Sequence, residues 1–249
     1  MTASELTEFL LAKANQFENL SFIEDDPISI PHQFKQKEDI EIIGLLVATI
    51  AWGNRKSIIK SGNKLVTIFG ESPHDFVMNF NPTRRIDFVH RTFSGEDLVF
   101  FIQALKRIYE ADGLEATFSK KTSDGIHVAI SNFRNTMLQT PHLSRSTKHL
   151  SNPMINSACK RLNMYLRWMV RSDAKGVDFG LWKTLSPMDL HIPLDVHTGN
   201  IARKLGVLER TQNDWKSSQL LHEFAKQLIP NDPSKLDFAL FGLGAIEDF

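Results

Sequence analysis

Ile40-Glu41-Ile42-Ile43-Gly44-Leu45-Leu46-Val47-Ala48-Thr49-Ile50-Ala51-Trp52 is apolar nearly all the way round a helical wheel, the pattern of a helix with neighbours on every side. The sequence on either side supplies helices to surround it. Upstream, Leu6, Phe9, Leu10, Ala14 and Phe17 recur at helical spacing. Downstream, the apolar run ends near Gly53-Asn54, a polar-faced helix is predicted from about Lys56 to Phe69, and Ser72-Pro73 opens the next. Ser94, with Glu96 and Asp97 behind it, marks another N-terminus, and Ser123 or Asp124 marks one more. A helix from Ile155 to Val170 is predicted from Ala158, Leu162, Tyr165, Leu166 and Met169 on one side. Thr211 caps a helix ending near Leu228, and Asp232-Pro233-Ser234 opens the last one. Runs that alternate with period two are scarce, so the chain reads as all-α.

A chain of 249 residues is long enough for a sizeable core. It contains no repeat, low-complexity tract or flexible linker, so it reads as one large domain or two intimately packed lobes. Hydrophobic residues make up 42% and charged residues 23%, an ordinary globular balance, and no apolar run approaches the length needed to cross a bilayer. The N-terminus has no basic leader before an apolar core. The single cysteine, Cys159, excludes an internal disulfide and any four-cysteine zinc or iron-sulfur site. Phosphate-binding loops and dinucleotide fingerprints are absent. These features predict a cytoplasmic monomer with no membrane contact and no cofactor.

Net charge is zero, but unevenly spread. Between His142 and Lys175 stand Arg145, Lys148, Lys160, Arg161, Arg167, Arg171 and Lys175 against Asp173 alone, which predicts one strongly basic face. Just beyond lies Pro193-Leu194-Asp195-Val196-His197-Thr198-Gly199-Asn200-Ile201-Ala202-Arg203-Lys204-Leu205-Gly206. Pro193 ends the preceding segment, Asp195 is placed to cap the helix, and Gly206 stops it. By itself Asp195 is an ordinary cap and Lys160 a surface lysine on a basic helix. His191, Asp195 and His197 contain metal-ligating atoms without a recurrent zinc spacing, so no metal is expected.

Four segments, in order, resemble the helix-hairpin-helix DNA glycosylases of the endonuclease III superfamily. Ile42 to Lys64 is similar to their buried helix, short turn and following helix. Cys159-Lys160-Arg161-Leu162-Asn163-Met164-Tyr165-Leu166 resembles the second helix of their hairpin, where lysine, a two-residue gap and asparagine have matching positions. Leu194-Asp195-Val196-His197 resembles their Val-Asp-Thr-His stretch, and Leu236-Asp237-Phe238-Ala239-Leu240-Phe241-Gly242-Leu243-Gly244 their closing helix. The resemblance covers roughly residues 38–249, is closest in pattern to the archaeal 8-oxoguanine glycosylase branch, and implies that residues 1–249 form one all-α unit of two interleaved helical lobes with a cleft between them and a catalytic-type segment at about 142–206.

What the resemblance implies is a DNA base-excision glycosylase, with abasic-site lyase activity, acting on double-stranded DNA with a flipped damaged base. Lys160 would be the Schiff-base nucleophile and Asp195 its acid-base partner. Arg161 and Arg167 would contact DNA, Asn54 or Arg55 would fill the space left by the extruded base, and Trp182 and His197 would line the base pocket. Trp52 and Trp168 read as core. The family's Leu-Pro-Gly-Val-Gly hairpin is replaced by Met154-Ile155-Asn156-Ser157-Ala158. Asn156 can adopt the left-handed conformation and Ser157 can offer a hydroxyl, so these two are the candidates for a DNA phosphate. Lys160 and Asp195 stand 35 residues apart, a longer interval than in endonuclease III, and residues 172–192 read as inserted. The cluster-binding cysteines of endonuclease III have no counterpart, so a cluster-free member is implied. The alternative is a non-catalytic nucleic-acid-binding protein retaining the glycosylase scaffold.

Overall fold

A computed structural model describes residues 1–119, 124–247 and 249. It is mainly helical: α1 (Ala3–Phe17), the four-residue α2 (Ser21–Glu24), α3 (Lys37–Ile50), α4 (Arg55–Phe69), α5 (Pro73–Met78), α6 (Gly95–Glu110), α7 (Gly113–Ser119), α8 (Ile126–Leu138), α9 (Lys160–Val170), α10 (Val196–Lys204), α11 (Trp215–Leu228) and α12 (Leu236–Ala245). Strands are limited, among the described residues, to a hairpin in which β1 (Val89–His90) pairs antiparallel with β2 (Phe93–Ser94). No helix among the described residues is long and apolar enough to cross a membrane. The chain divides into two compact units, one contiguous (Ile23–Asn152) and one built from Met1–Phe22 together with Pro153–Phe249.

The contiguous unit is organised on α3. Every residue from Asp39 to Ile50 is buried, as its all-round apolar sequence predicts. Its two buried carboxylates have partners: Asp39 accepts from the His74 N–H at 2.7 Å, and Glu41 accepts from the Tyr109 hydroxyl at 2.7 Å. Ser94 begins α6 with a capping box, its N–H donating to Asp97 at 2.8 Å. Gly95 is required there because a β-carbon would lie 1.9 Å from the Ile86 carbonyl oxygen. The turn before α8 differs from expectation: Gly125, with φ +98°, occupies the N-cap position, and Ser123 lies outside the described residues.

The discontinuous unit is closed by its two ends. The helices α1 and α12 touch so tightly that a β-carbon on Gly242 would stand 2.1 Å from the Phe17 ring. Leu10 and Ala14 of α1, Ile201 and Ala202 of α10, Leu221 and Ala225 of α11, and Leu236, Ala239, Leu240 and Leu243 of α12 form its core. Each fully buried aliphatic side chain of this kind contributes about 1.5–3 kcal/mol. Two predicted boundaries are corrected here. The helix expected from Ile155 begins only at Lys160, because Asn156 (φ +66°) and Cys159 (φ +49°) are both left-handed and cannot continue a right-handed turn. The cap of α11 is Asp214, whose carboxylate accepts from the Ser217 N–H at 2.9 Å, rather than Thr211.

Candidate active site

The sequence places Lys160 and Asp195 at the first turns of two different helices, and both sit in the discontinuous unit. Asp195 has an extended backbone, and one carboxylate oxygen accepts from the Thr198 N–H at 3.0 Å, which is the predicted cap. Gly206, at φ +71°, follows the last turn of α10 as predicted. The cap uses Oδ1 only. The other oxygen, Oδ2, lies 3.3 Å from the Lys160 Nζ, with 30% of the lysine side chain and 22% of the aspartate side chain exposed. Charge at the two helix ends is unequal in cost. A carboxylate is favourable at the positive end of α10, whereas an ammonium is unfavourable at the positive end of α9, and the ion pair offsets that.

Groups behind the pair fix its geometry. The Asp195 carbonyl accepts from the Asn213 side chain at 3.0 Å, and Arg203 donates to the Asn213 side-chain oxygen at 2.6 Å. Gly199 admits this contact, since a β-carbon would stand 2.5 Å from the same Asn213 oxygen. On α9, Asn163 donates to the Ala158 carbonyl at 3.0 Å and so holds the irregular turn that delivers Lys160. Two buried oxygens, Asn163 Oδ1 and Thr198 Oγ1, each one turn beyond the Lys160–Asp195 pair, have no hydrogen-bond partner among the described residues.

Beneath the pair runs a buried ionic chain that sequence reasoning missed. Asp237 on α12 is ion-paired with Arg167, which also reaches Asp178 at 3.2 Å. Arg171, one turn further along α9, bonds Asp178 at 2.5 Å, Glu18 at 2.6 Å and Asp232 at 2.7 Å. Burial pulls Arg171 down, but Asp232, Asp178 and Glu18 outweigh it and hold the guanidinium above its ordinary range. Burial pushes the Asp237 carboxyl up to about 6; Arg167 opposes the rise, the Asp195 charge adds to it and Lys160 opposes it. A signal for Asp237 was present: one carboxylate in a helix otherwise made of Leu, Phe, Ala and Gly.

Several expectations are corrected. Arg167 does not reach a ligand from the surface, being 3% exposed and held by Asp178 and Asp237. Trp182 is core rather than pocket lining: it is 1% exposed and meets Tyr165 edge to face at 5.5 Å. The basic face predicted for residues 142–175 is thinned rather than continuous: Arg167 and Arg171 are buried, and the exposed Arg145 is occupied by Asp97 (2.7 Å) and Glu96 (2.8 Å). Trp168 is fully buried as expected, and Trp52 is half-buried, stacked on His149 at 5.8 Å.

The remaining candidates are placed as follows. Asn156 is left-handed, as its sequence allows, and its side chain donates to Asp214 at 3.0 Å and accepts from the Lys216 N–H at 3.3 Å. The Ser157 hydroxyl accepts from the Cys159 N–H at 3.3 Å. Asn156 thereby ties this turn to the start of α11, while Ser157 holds the turn that precedes α9. Arg161 adjoins Lys160, is half-buried, and is lowered from the ordinary arginine value by that burial. The His197 side chain is exposed, while its backbone packs close to Gly244 of α12. His191 is stacked between Trp215 and His222, at 4.6 Å and 4.5 Å. No group of three or more His, Cys, Asp or Glu side chains among the described residues is arranged to hold a metal ion. Asn54 caps α4 by accepting from the Ser57 N–H at 3.3 Å, and Arg55 opens that helix in the contiguous unit.

A family model matches residues 26–246, and the chain belongs to that family, described as a protein of unknown function (DUF2400). No curated protein and no solved structure matches it.

Proposed function

We propose that the protein is a DNA base-excision glycosylase with abasic-site lyase activity, of the helix-hairpin-helix glycosylase type. It acts as a cytoplasmic monomer on duplex DNA carrying a flipped damaged base. Lys160 is the nucleophile and Asp195 its acid-base partner. The observation that carries the reading is the partly exposed Lys160 Nζ held 3.3 Å from Asp195 Oδ2 by two helix starts 35 residues apart in sequence.

The chemistry needs only this pair. Asp195 takes a proton from the lysine ammonium, and the freed lone pair forms the N–C1′ bond. The glycosidic bond breaks and its electrons leave with the base. Asp195 passes its first proton to the departing base and takes the second from the C1′-bound nitrogen, whose restored lone pair forms the C=N iminium as the C1′–O4′ bond opens and O4′ takes that proton from Asp195. Asp195 is suited to both roles because its cap bond to Thr198 keeps one oxygen fixed while the other faces the amine.

A second reading, a nucleic-acid-binding protein without catalysis, is favoured by the hairpin, where Asn156 and Ser157 already spend polar atoms on internal bonds. Borohydride trapping separates the two. Duplexes carrying a panel of damaged bases or an abasic site should give a covalent protein–DNA adduct, through hydride reduction of the iminium, that Lys160→Ala abolishes. Salt-dependent binding with no adduct on any duplex, unchanged by Asp195→Asn, would sink the enzyme and leave the second reading standing.

A further inference from the structure

We infer that the exposed side of α4, together with Arg91 of the neighbouring hairpin, is a docking stripe for the phosphate backbone of a nucleic acid. Lys56, Lys60 and Lys64 occupy positions i, i+4 and i+8, all exposed, on a helix that also starts with Arg55 and contains no acid. Like charges at this spacing repel along a helix face, so the arrangement weakens the helix until an anion meets it. Of the three lysines, Lys64 meets Asp87 at 3.9 Å, with Asp87 fully exposed, and Lys56 and Lys60 make no ion pair among the described residues.

Arg91 is set beside this stripe by the backbone. It is a left-handed non-glycine residue, φ +54°, at the turn of the β1–β2 hairpin. Its neighbour His90 is bonded to Ser61 of α4 at 2.8 Å. The Arg91 guanidinium lies against Gly53, where a β-carbon would stand 2.3 Å from it, and it makes no ion pair among the described residues. A cation held by packing and left unneutralised is ready for a phosphate, which the planar fork can grip with two bonds.

The spacing suits a polyanion strand. Successive lysines rise by about 6 Å, and the stripe by about 12 Å, along the helix axis. A duplex strand offers a charge about every 3.4 Å of its axis, so about three phosphates fall within that reach. A membrane surface fits poorly, because an interfacial helix needs an exposed apolar flank and no large hydrophobic residue of α4 is exposed.

The inference rests on the nucleic-acid part of the proposed function and is independent of Lys160 chemistry. The test compares the full-length protein with K56Q/K60Q/R91Q on an undamaged duplex. Loss of three phosphate contacts should reduce the slope of log K against log salt by about 2.7, measured between about 50 and 200 mM. K56R/K60R/R91K, which keeps the charges, should restore the slope, and K60Q alone should lower it by about 0.9. An unchanged slope in the triple variant overturns the stripe even where the borohydride adduct forms. A reduced slope without any adduct keeps the stripe and removes the glycosylase. Wild-type protein that ignores duplex but binds anionic vesicles or acidic peptides overturns both.

Discussion

Replacing Asp237 with asparagine should change the pH dependence of stability in a defined direction. Asp237 is 5% exposed, is ion-paired with Arg167 of α9, and feels the charges of Asp195 and Lys160. Burial dominates, and the carboxyl rises from 3.8 to about 6 in the folded state. A raised folded value means that the native protein holds this proton more tightly than the unfolded chain. Its contribution is complete below about pH 4 and is lost as pH climbs through about 6. At about 1.36 kcal/mol per pH unit, the full swing is about 3 kcal/mol. Asparagine does not titrate, so wild-type minus Asp237→Asn stability isolates the effect, whatever the constant cost of altering the Arg167 contact. Urea unfolding of both proteins at intervals between pH 4 and pH 7 should show the wild type losing about 2.4 kcal/mol of that swing relative to the variant. A flat difference, or one that rises with pH, would refute the reasoning. A flat result would mean that Arg167 cancels the effect of burial, and a rising one that it outweighs burial.

Asn156→Ala should destabilise the protein by roughly 2–3 kcal/mol, through left-handed backbone strain and two lost side-chain bonds, and Asn156→Gly by about 1 kcal/mol less. Thermal or urea unfolding ranks them, and glycine proving no better than alanine would remove the conformational part of the explanation. Gly242→Ala forces a methyl into the Phe17 ring and should cost about 1–3 kcal/mol in the same assay, a neutral result showing that α1 moves freely against α12.

Features decided within one helical turn were legible in the sequence. The caps Asp195, Ser72 and Ser94, the Gly206 stop and the all-round burial of α3 involve neighbours a few positions away, so local chemistry was enough. The charge map was not. Arg145, Arg167 and Arg171 find their acids 48, 70 and 153 residues away, at Asp97, Asp237 and Glu18, and a running charge count cannot see such partners. Trp182 was misread for a related reason: it lies in an aperiodic stretch, where no spacing distinguishes core from rim. Lys56, Lys60 and Lys64 show the reverse fault: their regularity is visible in the sequence and reads as a polar helix face, while the absence of ion pairs at Lys56 and Lys60 among the described residues is a tertiary fact. Lys160 and Asp195 came close to legibility, since each helix start was readable while their 3.3 Å approach depended on the tertiary fold.

The joining of α1 to α12 also sets an order of events in the life of the chain. The unit from Ile23 to Asn152 is contiguous and can fold as soon as it leaves the ribosome, domains generally folding as units in that order. The unit bearing Lys160 and Asp195 cannot. Its first helix must wait, unpartnered, through more than two hundred residues of synthesis until Leu236–Ala245 arrives to meet it. Asp237 arrives with that same helix, so the ionic chain beneath Lys160 is completed only in that late step, and a prematurely ended chain carries the lysine without this buried support.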